Sequence, residues 1–226
     1  MLELFGALVG DYMAAASIPL AATGPAAGAL TLRVLLEKRT RTARDILLAE
    51  IRQGRSLIEF HDADEAAAIT YRYMRAAEEG AARLNLRLLA GVIVGSAEGP
   101  GLYADDFLRW ADILAGLKRE EVITLGVIQR LAEQPPVVSA DIAPSLQFWL
   151  NCSEVLQREY GLESHAATAT AHALLRTGLV QLVSGSMEIV VVPAPTHELS
   201  NLSALLLIEG IITRENSARF EEPAER

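Results

Sequence analysis

Apolar residues recur at three- and four-residue spacing along most of the chain, in runs divided by Gly, Pro and Asp. Between Ala26 and Gln53, Leu32, Leu35, Leu36, Ala43, Ile46, Leu47 and Ile51 share one helical face with Arg39 and Glu50, and Gly54 supplies a stop. Asp62 or Asp64 opens a second long helix, expected to reach about Val94, with carboxylates in its first turn, where the helix dipole favours them. Its apolar line is Ile69, Tyr73, Ala76, Gly80, Leu84, Leu88 and Ile93. Gly80, beside Ala77, Ala81 and Ala82, predicts a face that another helix approaches closely. The two helices are expected to pair antiparallel over one buried seam.

Gly95 to Gly101 (GSAEGPG) is the expected linker. Beyond it, Asp105 or Asp106 caps a helix that buries Phe107, Trp110, Ala111, Leu114 and Leu117. A helix from Arg119 to Gln134 follows, with Val122, Leu125 and Ile128 on one face, and Pro135-Pro136 ends it. Ser145 to Tyr160 turns Trp149, Cys152, Val155, Leu156 and Tyr160 inward, and Gly161 closes it. Ser164 caps the next helix and Gly178 stops it. Strands Leu179–Val183 and Met187–Val192 then form a hairpin around Ser184-Gly185-Ser186. A last helix spans Thr196 to Thr213, burying Leu199, Leu202, Leu206 and Ile211, and the polar tail 214–226 is expected to fray.

The fold class implied is mainly α: a helical hairpin or bundle over 1–95, followed by a winged-helix-like domain over 102–213 with a small β-hairpin. A helix ending Leu-Leu-x-x-Gly-Leu-Val before two β-rich runs is the pattern of a helix-turn-helix with a wing.

Charge changes that picture. Up to Tyr103, 11 Lys and Arg face 12 Asp and Glu, whereas from Ala104 onward 9 face 17. The second part of the chain therefore repels polyanions, although phosphate contacts supply most non-specific affinity for DNA. Between Gly161 and Ser200 the sole Lys or Arg is Arg176, against Glu163, Glu188 and Glu198. A nucleic-acid or protein partner would meet His165, Thr168, His172, Arg176 and Gln181. DNA reading is disfavoured, because Thr and His read base edges but do not anchor a backbone.

A basic strip lies elsewhere. Arg33, Lys38, Arg39, Arg41, Arg44, Arg52 and Arg55 face Glu37, Asp45 and Glu50. It follows 21 uncharged residues, Tyr12 to Leu32, that are rich in Ala and Gly and broken by Pro19 and Pro25. The lipid or polyanion candidates are Arg33, Lys38, Arg39, Arg41 and Arg44. Two readings stand for the region 4–55: a membrane-touching segment, or small-residue helices packed on protein. No basic residue precedes the apolar run, so a signal peptide fits poorly.

Catalytic chemistry finds little support. His165 and His172 are two turns apart, too far for a helical i, i+4 metal pair. His61-Asp62 lacks partner histidines. Cys152 sits on an apolar stripe and reads as a buried small hydrophobe. No Gly-rich phosphate loop or nucleophile elbow appears. No enzyme activity, metal or cofactor is expected, and one cysteine fits a reducing cytoplasm.

Several stretches resemble the abortive-infection alpha (Abi-alpha) family of bacterial phage-defence proteins. They are Leu8 to Asp11 (LVGD), Asp105 to Leu108 (DDFL), Lys118 to Leu125 (KREEVITL) and Leu174 to Val180 (LLRTGLV). The resemblance implies a role in defence or membrane-linked stress and carries over no catalytic residue. The expectation is a cytoplasmic, non-enzymatic interaction protein, with room for a peripheral place at the inner membrane. It self-associates through its Ala/Gly-rich N-terminal helices and binds a further protein; a DNA-binding regulator and a membrane-associated effector are the alternatives.

Overall fold

Gly80 decides the layout of the N-terminal half. Its φ of +98° lies in the left-handed region open to glycine, and it breaks the expected long helix in two. The computed structural model describes residues 10, 26–53, 63–96, 103–134, 142–184 and 191–221. In the first part it places α1 (Ala26–Gln53), α2 (Ala63–Glu78), α3 (Arg83–Gly95) and α4 (Ala104–Leu114). The reversal is closed by backbone bonds from Glu79 to Arg75 and from Ala81 to Ala76. Gly80 is thus a turn residue under the Arg39 guanidinium, 3.5 Å from where a Cβ would sit, and not part of a helix-packing face. The antiparallel pair expected of two long helices becomes α1 packed against both α2 and α3.

α3 is buried along nearly its whole length, from Leu84 to Ile93, as a helix apolar on all sides must be. Its polar members are matched. Asn85 Nδ2 donates to the Leu114 and Ala115 carbonyls at 2.7 and 3.2 Å, closing the end of α4. Arg87 Nη1 lies 2.8 Å from Glu50 Oε1 of α1, both side chains almost fully buried. Tyr73 of α2 donates its hydroxyl to the Ala43 carbonyl at 2.9 Å. The start of α4 is capped from outside the helix, because the Glu65 carboxylate accepts the Ala104 N–H. Asp105 and Asp106, the expected caps, lie in the first turn, and Tyr103 holds the cap position.

Compact contacts group 1–116 and 117–226 into two units. α4, which the sequence pattern assigned to the second domain, belongs to the first. Residues 97–101 of the expected linker lie outside the described residues.

The second unit is built around α5 (Arg119–Ala132), which packs against α6 (Pro144–Tyr160), α7 (Ser164–Ala173) and α9 (Ile208–Glu221). Gly126 lets α9 in: a Cβ there would stand 2.9 Å from Glu209 Cγ and 3.3 Å from Ile208 Cγ2. After α7 a 3₁₀ turn (Leu174–Thr177) runs to Gly178, whose φ is +73°. Glu163, not Ser164, holds the cap position of α7.

β1 (Val180–Ser184) and β2 (Val191–Pro195) pair antiparallel, Val180 with Pro195 and Ser184 with Val191. β2 therefore runs to Pro195, past the expected end at Val192, while Met187 to Val190 of the expected strand lie outside the described residues. Its base is clamped by Thr196, which donates its N–H to the Leu179 carbonyl at 3.1 Å and its hydroxyl to the Gly178 carbonyl at 2.7 Å. That clamp sets the hydrogen-bonding phase so that Pro193 and Pro195 occupy positions needing no N–H toward β1. The hairpin tip, residues 185–190, lies outside the described residues.

The expected closing helix is also two elements, α8 (His197–Ser203) and α9. Buried Gln129 makes the corner. Its Nε2 donates to Ser203 Oγ and the Leu206 carbonyl at 2.9 and 2.8 Å, and its Oε1 accepts the Ile208 N–H at 2.9 Å. α9 continues to Glu221, so the stretch from Arg214 expected to fray is helical that far. The molecule is mainly helical with one small two-stranded antiparallel sheet. Among the described residues no helix is long and apolar enough to cross a membrane.

Candidate interaction face of the C-terminal unit

The helix α7, the 3₁₀ turn and the hairpin bring the five candidate contact residues onto one stretch of chain. They differ in what they have left to offer. His165 is exposed, with Nδ1 3.3 Å from the equally exposed Glu163 carboxylate. His172 is exposed as well. Thr168 is half-buried and donates its hydroxyl back to the Ser164 carbonyl at 3.0 Å. Gln181 is exposed and donates across the hairpin to the Pro195 carbonyl at 3.1 Å.

Arg176 is committed within the unit. Its two terminal nitrogens lie 2.7 and 2.8 Å from the two oxygens of Glu121, and Nη1 also donates to the Ala173 carbonyl at 2.5 Å. Glu121 is buried and simultaneously accepts the Lys118 backbone N–H at 2.8 Å, closing the first turn of α5. The Arg176 guanidinium, aided by that N–H, holds the Glu121 carboxyl below the usual carboxylate range. The fork-to-fork geometry leaves a carboxylate facing the cation where a phosphate would have to sit.

Sequence reasoning singled out Arg176 but missed its partner. Glu121 stands in the first helical turn, where an acidic residue needs no explanation beyond the dipole. Three other arginines of this unit show the same habit. Arg130 lies 2.8 Å from Glu159 and 3.2 Å from Glu209, Arg158 lies 3.0 Å from Glu159, and Arg119 donates to Asn216 Oδ1 at 2.6 Å. Tyr160 joins this network by donating to Glu209 at 3.0 Å. Burial and the neighbouring Glu209 push its phenol up to about 12. A groove of about 330 Å³ between α5 and α6 is lined by Arg130, Asn151, Glu154, Arg158 and Glu159, charges that neutralise one another.

The described strands of the hairpin also expose two large apolar side chains. Leu182 and Val191 project on the same side of the sheet, being adjacent members of the aligned pairs Leu182–Pro193 and Ser184–Val191. Both are exposed, 41% and 50%.

Cys152 is fully buried between α6 and its neighbours, and burial pushes its thiol up to about 12. It is a packing residue. Among the described residues no group of three or more His, Cys, Asp or Glu could hold a metal ion.

The basic candidates belong to the first unit, on α1. Lys38, Arg39, Arg41 and Arg44 are exposed and Arg33 is half-buried. Arg33 and Arg41 flank Glu37 at 3.1 and 3.4 Å, Arg44 lies 3.1 Å from Asp45, and Arg39 donates to the Glu78 carbonyl at 3.3 Å. Residues 4–9, 11–25 and 54–55 of the region offered to a membrane lie outside the described residues.

Comparison with known proteins finds no match, either to a family model, to a curated protein or to a solved structure.

Proposed function

We propose that the chain is a non-enzymatic interaction protein whose C-terminal unit is a winged-helix-like module used for protein contacts. One observation carries this reading. Arg176, the sole Lys or Arg between Gly161 and Ser200, is held in a two-pronged ion pair by buried Glu121. A reading helix needs phosphate anchors beside it, and this one has spent its cation inside the unit. The exposed apolar pair Leu182 and Val191 on the wing is what a protein partner would cover. A bacterial defence or stress setting rests on the Abi-alpha resemblance, and self-association remains part of the reading. The packing face at Gly80 no longer supports it, since that residue forms a turn.

The second reading, a winged-helix DNA regulator, draws on the order helix, turn, hairpin alone. A mobility-shift titration of random duplex at ~50 mM salt separates the two, because electrostatic binding is strongest there. No retardation is expected. Retardation that disappears in Arg176→Ala would transfer the assignment to the regulator. Light scattering at roughly tens of micromolar tests self-association, where a strict monomer would remove that part.

A further inference from the structure

We propose that the outward face of α1 docks on an anionic lipid bilayer. With 100° between successive residues, Val34, Lys38, Arg41, Asp45, Leu48 and Arg52 form one line along the helix. The line opposes the buried seam of Ala43, Leu47 and Glu50. It is about 27 Å long at ~1.5 Å per residue, and Arg33 and Arg44 flank it on one side, Leu35 on the other, while Arg39 turns toward α2 and donates to the Glu78 carbonyl.

Two properties of this face select its occupant. The first is charge. Five cations on this side of α1, Arg33, Lys38, Arg41, Arg44 and Arg52, meet only two carboxylates there, Glu37 and Asp45, because Glu50 is turned inward onto Arg87. The ion pairs of Glu37 and Asp45 are solvent-exposed and leave the net positive field in place. The second is the pair of large apolar residues among those cations: Val34 is 63% exposed and Leu35 52%. Nucleic acid rewards the cations and gives nothing for a valine and a leucine. An anionic bilayer rewards both, taking the apolar side chains into the headgroup boundary while the basic side chains meet lipid phosphates. The sequence pattern sets Glu50 on the apolar face of α1; its ion pair with Arg87 holds it there and strips one compensating charge from the outward face.

The test is flotation of the full chain with vesicles of phosphatidylcholine containing about one-third phosphatidylglycerol, compared with pure phosphatidylcholine. The chain should float with the anionic vesicles and not with the neutral ones. Lys38→Ala/Arg41→Ala should weaken partitioning about twenty-five-fold, at about fivefold per cation. Val34→Ser/Leu35→Ser should weaken it on the order of tenfold. All four positions are solvent-facing or half so, and far-UV circular dichroism checks that both variants stay helical. The control Lys38→Arg/Arg41→Arg should float like the parent.

No flotation with anionic vesicles overturns the proposal. So does flotation that neither pair of substitutions changes. Loss in the cation variant alone, with matching retention of duplex DNA by parent and Val34→Ser/Leu35→Ser, overturns it in favour of a general polyanion site.

Discussion

Glu121 shows how one side chain can serve three structures at once. It closes the first turn of α5, pins the 3₁₀ turn through Arg176, and cancels the one cation of the candidate reading face. Its folded carboxyl lies below its unfolded value, so its contribution to stability is present above the unfolded pKa and is lost as pH falls through the folded one. Glu121→Gln should therefore cost about 1–2 kcal/mol at neutral pH, a figure kept low because Arg176 is half-exposed. In urea titrations the gap between parent and variant should close as the pH is taken down through the carboxylate range. A gap that persists in acid would mean the ionised pair is not its source. Gln129 acts comparably as a neutral residue, matching a carbonyl and an N–H at the α8–α9 corner that no backbone group reaches.

At the scale of elements, glycine does two different jobs, and only one shows in a one-dimensional pattern. Gly161 and Gly178 end helices with φ of +67° and +73°, as their places after apolar runs suggest. Gly80 does the same in the middle of a periodic run, where the pattern reads straight through it. The apolar line survives the turn because Leu84, Leu88 and Ile93 are buried on a new helix. Gly126 is unlike these, being a helical residue whose missing Cβ makes room for α9. Glu209 cannot easily withdraw, since Arg130 and Tyr160 hold its carboxylate. Gly126→Ala should therefore destabilise the C-terminal unit by about 1–3 kcal/mol despite its better helix propensity. An unchanged or raised melting temperature would show that α9 yields at that contact.

Across the molecule, each unit handles its ions differently. The first buries the Arg87–Glu50 pair and leaves the outside of α1 basic. The second holds Arg130, Arg158 and Arg176 on neighbouring carboxylates. The lone thiol gives access to the second unit as a whole. Cys152 is fully buried with its pKa pushed up to about 12, so a thiol reagent at mildly alkaline pH should modify it only through opening of that unit. Labelling should follow the denaturant dependence of unfolding measured by circular dichroism. Rapid labelling of the native protein would place Cys152 in a locally mobile region instead.

Most helices and their buried faces were legible in the chain itself. The alternation that puts Trp149, Cys152 and Leu156 inside is a property of helix period and apolar side chains, and it holds whatever the neighbours are. The same applies to the acidic balance of the second part of the chain, which is composition alone. Tertiary structure decided what depends on partners distant in sequence. Glu121 and Arg176 are 55 positions apart, and Glu50 and Arg87 are 37. Whether an arginine faces water or a carboxylate is settled by such meetings. Where β2 ends is likewise decided by the Thr196 clamp, and where the last helix breaks, by Gln129. Local periodicity selects a helix and its inward face, whereas charge pairing and corners arise only when elements meet, since their energies live in contacts the linear order does not contain.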